Sequence, residues 1–497
     1  MNAQVSSIGT ADRPASVLWI ATLLSCACAG MVFIILPNDL GAKILAFVAL
    51  WFAAAAIVRL EISHPYIWFG FFFMLYSVSG PLLHFYDIHP YGIWGGRDIR
   101  TLDFSSTLDL EMGCFVLFML IVGPVARDLH KVARSGLDAF SNGAPIIAGI
   151  AALLVVIVLA EISAGGFSTK GEVTIHGSWL TRLSFGYSIL ALSACVMMYS
   201  RFIDNRPRDA YLFLVAMLIC GVMVVLISGQ RNFLFRFALL AVFMIHFGHR
   251  RITWPTALML TVAGLAMISL LAAQKMAFSS DVVESALTGS GVTSAITGYL
   301  AKNPSAIFDP SISDYWNFFL LLSLGDELMT ASNNLALIMD RVPTDMPYLN
   351  GIPLFTSDIG RVLLPGFLLS SEPETTVSIY HSTFFRELVE QGAGPGFTLL
   401  GHGYIHFGTV GALLVTGFFA FIIKLLYRAA ERSSLGFLCF VAVIPIAVYS
   451  TRMDLTAAFS QGIKHVFIPI VAMAVISFLR RGTVAGHPTT AQNPKQA

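Results

Sequence analysis

Two arginines interrupt the apolar stretch VVLISGQRNFLFRFALLAVF, residues 224–243. A permanent cation in apolar surroundings suits one chemistry above others: it holds an anion, and guanidinium contacts phosphate oxygens in bidentate fashion. Arg231 follows the turn-like Ser-Gly-Gln, where it either snorkels to the headgroups or meets a ligand. Arg236 lies five residues on, about 7.5 Å deeper along a helix, and faces either a cavity or an acidic partner. Other ionisable groups cluster in polar phrases: Arg97, Asp98, Arg100 and Asp103 in GGRDIRTLD, Arg361 in TSDIGRVLLPG, and Arg452 and Asp454 in STRMDLT. Arg182 heads another apolar run. YHSTFFRELVEQG adds His381, Arg386 and Glu387. An imidazole titrates near neutrality, so His381 among arginines is a candidate general base. If 381–391 is helical, His381 shares a face with Phe385.

His402 and His406, with Tyr404 between them in GHGYIHFG, are spaced i, i+4 and point the same way on a helix. Such a pair can bind zinc, but no HExxH motif or neighbouring third ligand completes a site, so no metal and no cofactor are expected. Gly401, Gly403, Gly408 and Gly411 admit a close helix neighbour or mark a helix break.

Positioning these groups falls to membrane helices. Of 497 residues, 56% are hydrophobic and 12% charged, and mean hydropathy is +0.76. Apolar runs of bilayer-spanning length account for this, which predicts an all-α polytopic membrane protein. The runs lie near 17–36, 40–59, 65–84, 108–126, 145–163, 181–200, 210–228, 232–248, 254–273, 405–426, 434–450 and 463–479, about twelve transmembrane helices. A net charge of +1 gives no field to attract nucleic acid. The six cysteines fall in apolar runs without a CxxC pair and read as small core residues. The first run reads as an uncleaved helix, although SCACAG offers small residues like those of a signal-peptide cleavage site.

Basic residues concentrate in alternate short loops, VRLEISH, RDLHKVAR, RFIDNRPRD, HRRIT and YRAAER, which places both termini in the cytoplasm. The division expected is helices 1–9 in 1–273, a large external loop with short helices in 274–404, three further helices in 405–480, and a disordered cytoplasmic tail in 481–497. Within the loop, LGDELMTASNNLALIMDRV has helical spacing, and YWNFFLLLSLG is too short to span and suits the interface.

GPGFTLLGHGYIHFGTVGALL resembles the C-terminal signature of the Wzy-type oligosaccharide repeat-unit polymerases, which build O-antigen and capsule in Gram-negative bacteria. SGQR is similar to their SGSR, and HSTFFRELVEQGAGPG resembles a phrase shared with O-antigen ligases. The likeness covers the topology and roughly residues 225–480. His402 stands where the polymerases often carry glutamate, His406 where they often carry asparagine, and Ser382 replaces the asparagine of the ligase phrase.

The resemblance implies a C-type glycosyltransferase in the bacterial inner membrane. It implies undecaprenyl-diphosphate-linked oligosaccharides as substrates, the lipid bilayer as surroundings and a chain-length-regulating co-polymerase as a partner. On that reading His381 is the base. Arg231 and Arg361 hold diphosphate, with Arg452, Arg386, Arg97 and Arg100 as further cations and His402 and Tyr404 as substrate contacts. The rival readings are an O-antigen ligase, a sugar-lipid transporter or flippase, and a scaffold subunit. Against a transporter, the halves show no repeat, and the loop after the second run lacks the Gly/Asp/Arg-rich motif of major-facilitator transporters.

Overall fold

The computed structural model describes residues 14–88, 93–130, 132, 138–165, 177–228, 232–257, 259–260, 263–264, 328–363, 374–387 and 396–485. The protein is mostly helical, and among the described residues eight helices are long and apolar enough to cross a membrane. In chain order the elements are α1 (Ala15–Ile35), α2 (Leu40–Ile57), α3 (Pro65–Phe85), a hairpin of β1 (Ile93–Trp94) and β2 (Arg97–Asp98), α4 (Phe104–Val122), α5 (Ala144–Gly165), α6 (Gly177–Ile203), α7 (Pro207–Ser228) and α8 (Asn232–Gly248). After them come α9 (Met329–Arg341), α10 (Ile359–Leu363), α11 (Thr376–Phe384), α12 (Leu399–Arg432), α13 (Ser434–Tyr449), α14 (Leu455–Gln461) and α15 (Ile468–Ala485). The expected span at 254–273 and the interfacial phrase at 315–325 fall largely or wholly outside the described residues. Helix α15 continues to Ala485, so the first five residues of the expected tail are helical.

Helix ends follow local sequence. Asp39, Asp103, Thr398, Ser433 and Asp454 each cap a helix by accepting a backbone N–H two or three residues into it. Side chains of α1 and α15 point largely outward, with Ile34 and Phe478 at least three-quarters exposed, as lipid-facing helices require. The aromatic core lies between α2, α3, α4 and α12, where Phe47, Phe69, Phe73, Phe115 and Phe118 meet at ring distances of 4.4–6.3 Å.

The basic loops meet at one end of the bundle. Arg127 pairs with Glu431 and donates its backbone N–H to Tyr427 Oη, His246 Nε2 lies 3.8 Å from Glu61, and His249 stacks on Phe202. At the opposite end the β1–β2 hairpin, α9, α10, α11 and the start of α12 form a cap. Helix α9 does not lie on the surface of this cap. Every residue from Met329 to Ile338 is buried, its polar ones included, because the helix inserts against α3, α4 and α12. Gly80 of α3 makes this possible: its N–H donates to Ser332 Oγ at 3.1 Å, and a methyl there would overlap that hydroxyl.

Helix α12 is two helices across a break at Phe407 (φ −142°) and Gly408 (φ +61°). The bend is sharp enough that a methyl on Gly403 would overlap the carbonyl of Gly411, and one on Gly411 the carbonyl of Gly403. The glycine phrase therefore serves both of the uses open to it, a break and a close approach.

Candidate active site in the cap

Two buried polar knots organise the cap. The first centres on Asn334 of α9. Its Oδ1 accepts from Trp94 Nε1 at 3.0 Å and from Tyr380 Oη at 2.8 Å, and its Nδ2 donates to the Gly396 carbonyl. One fully buried amide thus joins the hairpin, α11 and the strand-like approach to α12. Trp94 and Phe385 pack edge to face at 5.6 Å, and Tyr380 contacts Phe397 at 4.9 Å, which seals the knot from water.

The second knot links the turn that leads into α10 with α11 and α12. Thr376 donates its hydroxyl to Asp358 Oδ2 at 2.5 Å and its backbone N–H to Oδ1 at 3.3 Å. His406 Nε2 lies 3.0 Å from the same Thr376 oxygen, and His406 Nδ1 accepts the Gly351 N–H at 3.2 Å. Since Nδ1 is an acceptor, the neutral ring carries its proton on Nε2, and the relay runs His406 to Thr376 to Asp358. His402 completes the group with Nε2 3.7 Å from Asp358 Oδ2, and neither of its ring nitrogens makes a hydrogen bond among the described residues. Burial pushes the Asp358 carboxyl up from its ordinary value, against the opposing pull of the Thr376 hydroxyl.

The tertiary structure supplies a third ligand-type group that local sequence lacked, since Asp358, His402 and His406 lie together. The backbone bond to His406 Nδ1 disfavours a metal there, because a ligating imidazole donates its second nitrogen's proton rather than accepting one. His246, in the second such group with Glu61 and His130, is held the same way by the Ile252 N–H at 3.0 Å.

Deeper in the bundle, Arg236 lies on α8 about 6 Å below the helix start. It is 9% exposed, and its Nε and Nη2 have no hydrogen-bond acceptor among the described residues. Among the described residues the acidic partner considered from sequence is not there. Instead the guanidinium lies over the Tyr449 ring at 4.9 Å, and Tyr76 is also near. It borders a cavity of about 50 Å³ with Tyr187, Ser188, Pro445 and His465. Tyr449 ends α13, and the turn Ser450–Arg452 follows directly, with the Arg452 side chain against Gly396 of the first knot. The two cations thus reach the cap through one short segment.

The remaining sequence candidates distribute as follows. His381 is half-buried on α11, beside Tyr380. Helix α11 stops at Phe384, so Phe385 is its C-terminal cap and does not continue a shared face with His381. Arg386 is exposed. Arg97 pairs with Asp340 at 3.0 Å and Arg100 with Asp98 at 2.8 Å, so both are engaged at the rim. Tyr404 is partly buried near Tyr348, and His402 is fully buried. Arg231 and the side chain of Arg361 lie outside the described residues. Sequence reasoning missed Asn334, Asp358 and Thr376, since nothing in their spacing marks them as meeting.

The chain matches no family model, no curated protein and no solved structure.

Proposed function

We propose that the protein is a membrane glycosyltransferase of the oligosaccharide repeat-unit polymerase type, acting in the inner membrane of a bacterium with both termini in the cytoplasm. One observation carries this reading. Arg236 is a buried cation on an apolar helix beneath a cap rich in polar residues, and its Nε and Nη2 meet no hydrogen-bond acceptor among the described residues. Arginine in the membrane is costly and is retained where it meets a ligand or partner. The ligand that suits it is the diphosphate of a polyprenyl-linked sugar, whose lipid lies in the bilayer and whose sugar reaches the cap.

In the reaction, a hydroxyl of the acceptor repeat unit attacks C1 of the donor sugar. The new C1–O bond forms as the C1–O bond to phosphate breaks, and the electron pair leaves with the lipid diphosphate. His381 takes the hydroxyl proton. Arg236 and Arg452 stabilise the departing anion, with Arg231 and Arg361 as further cations. Diphosphate departs without a general acid. No second carboxylate or metal is required by this scheme.

The test is polymer length in a strain that makes the repeat unit. Arg236→Ala and His381→Ala are expected to leave single-unit caps and no ladder at wild-type protein level. Wild-type ladders from both variants sink the proposal. Loss of every cap would instead indicate transfer of the whole polymer, the ligase reaction.

A further inference from the structure

A cavity of about 230 Å³ lies at the basic-loop end of the bundle, opposite the cap. Asp128 and His130 of the segment after α4 form one wall, and His246, His249, Arg250 and Arg251 form the other. His249, Arg250 and Arg251 are exposed at its rim, whereas His246 is 4% exposed. Neither Arg250 nor Arg251 has an ion-pair partner among the described residues. Trp254 follows three residues after Arg251, half-buried against the core, and an aromatic there sets the rim at headgroup depth.

The ring of His246 is fixed as a donor. Its Nδ1 accepts the Ile252 N–H at 3.0 Å, so its proton is on Nε2, which has no hydrogen-bond partner among the described residues and lies 3.8 Å from Glu61. A cation finds poor ligands here: the imidazole presents N–H, and two guanidinium groups flank the mouth. Asp128 is exposed, and its Oδ1 accepts the His130 backbone N–H at 3.2 Å. At the exposed rim two guanidinium groups, Arg250 and Arg251, stand against that one carboxylate.

We propose that this cavity is a phosphate-binding site, in which Arg250 and Arg251 clamp a phosphate group and His249 flanks it. Its volume admits a phosphate with a small substituent. Phosphate can come from an anionic lipid of the adjacent leaflet or from a soluble ion, and the site is separate from the cap and independent of the reaction assigned to it.

The experiment uses the full chain in nanodiscs of phosphatidylcholine doped with phosphatidylglycerol, with bound lipid counted by native mass spectrometry. In parallel, inorganic phosphate is titrated into pure phosphatidylcholine discs, with thermal stability as readout. Arg250→Ala/Arg251→Ala is compared with Arg428→Ala/Arg432→Ala, which removes two exposed arginines of the same end that do not line the cavity. Phosphatidylglycerol retention weakened roughly 30-fold in the first pair alone supports a lipid phosphate. Stabilisation by inorganic phosphate that the first pair alone abolishes supports a soluble one. Equal losses in both pairs mean general surface charge and overturn the proposal, as does an absence of phosphate-dependent effects in the wild type.

Discussion

Tyr380 donates its phenol to Asn334 at 2.8 Å in the interior of the cap, one residue before the half-exposed His381. The bond ties the helix that carries the candidate base to a helix inserted in the membrane bundle. Tyr380→Phe should therefore cost about 1 kcal/mol, since Asn334 Oδ1 keeps Trp94 as a donor. Asn334→Leu should cost about 3 kcal/mol or more, because it strands Trp94, Tyr380 and the Gly396 carbonyl together. Thermal unfolding in detergent would rank the two, and a Tyr380→Phe loss equal to that of Asn334→Leu would contradict the hub.

Arg236 sets stability against function. A buried cation without a hydrogen-bonded partner lowers stability, so Arg236→Met should leave the melting temperature unchanged or raise it while abolishing polymer formation. A marked drop in melting temperature would show that the guanidinium is structural, held by Tyr449 rather than reserved for a ligand.

Gly408 adopts φ +61° and ψ −147°, a region open essentially to glycine. Gly408→Ala should cost about 1–3 kcal/mol. Gly411→Ala should be worse, because its methyl would strike the Gly403 carbonyl across the bend. Yield of folded protein by size-exclusion chromatography is the readout, and Gly417→Ala, where neighbours stand 3.5 Å or more away, is the tolerated control.

Glu61 predicts an acid limb. Burial opposes its charge, but the His246 imidazole 3.8 Å away and the hydrogen bond from Ser63 outweigh burial and bring its pKa from 4.5 down to about 2. The folded value is below the unfolded one, so the stability it contributes is complete above about pH 4.5 and is lost as pH falls toward 2. Glu61→Gln should flatten stability against pH in that window. His130 adds a second slope: burial and Arg251 lower it from 6.5 to about 4, so protonation of the unfolded chain costs stability as pH falls between those values.

Much of the architecture is legible without coordinates. Apolar runs of spanning length correspond to α1, α2, α3 and α4, to α13, and to the long parts of α6, α12 and α15, because in hydrocarbon the backbone must satisfy its own hydrogen bonds. Alternation of basic loops anticipates that Arg127, His246 and Glu431 share one end. The i, i+4 spacing of His402 and His406 likewise brings their rings to 5.2 Å, since helical periodicity is a local property. What surrounds those side chains is a different matter. Asp358 reaches His402 and Asn334 reaches Tyr380 across 44 and 46 residues, and only the insertion of α9 and the bend at Gly408 bring them together. The sequence by itself determined a helical membrane protein and the residue types available for chemistry, because hydropathy and helical period are written in short stretches. The tertiary structure decided that Arg236 meets tyrosines rather than a carboxylate among the described residues, and that Arg97 and Arg100 are engaged at the rim. Those outcomes depend on which distant surfaces meet, and close packing between helices sets that, not any spacing along the chain.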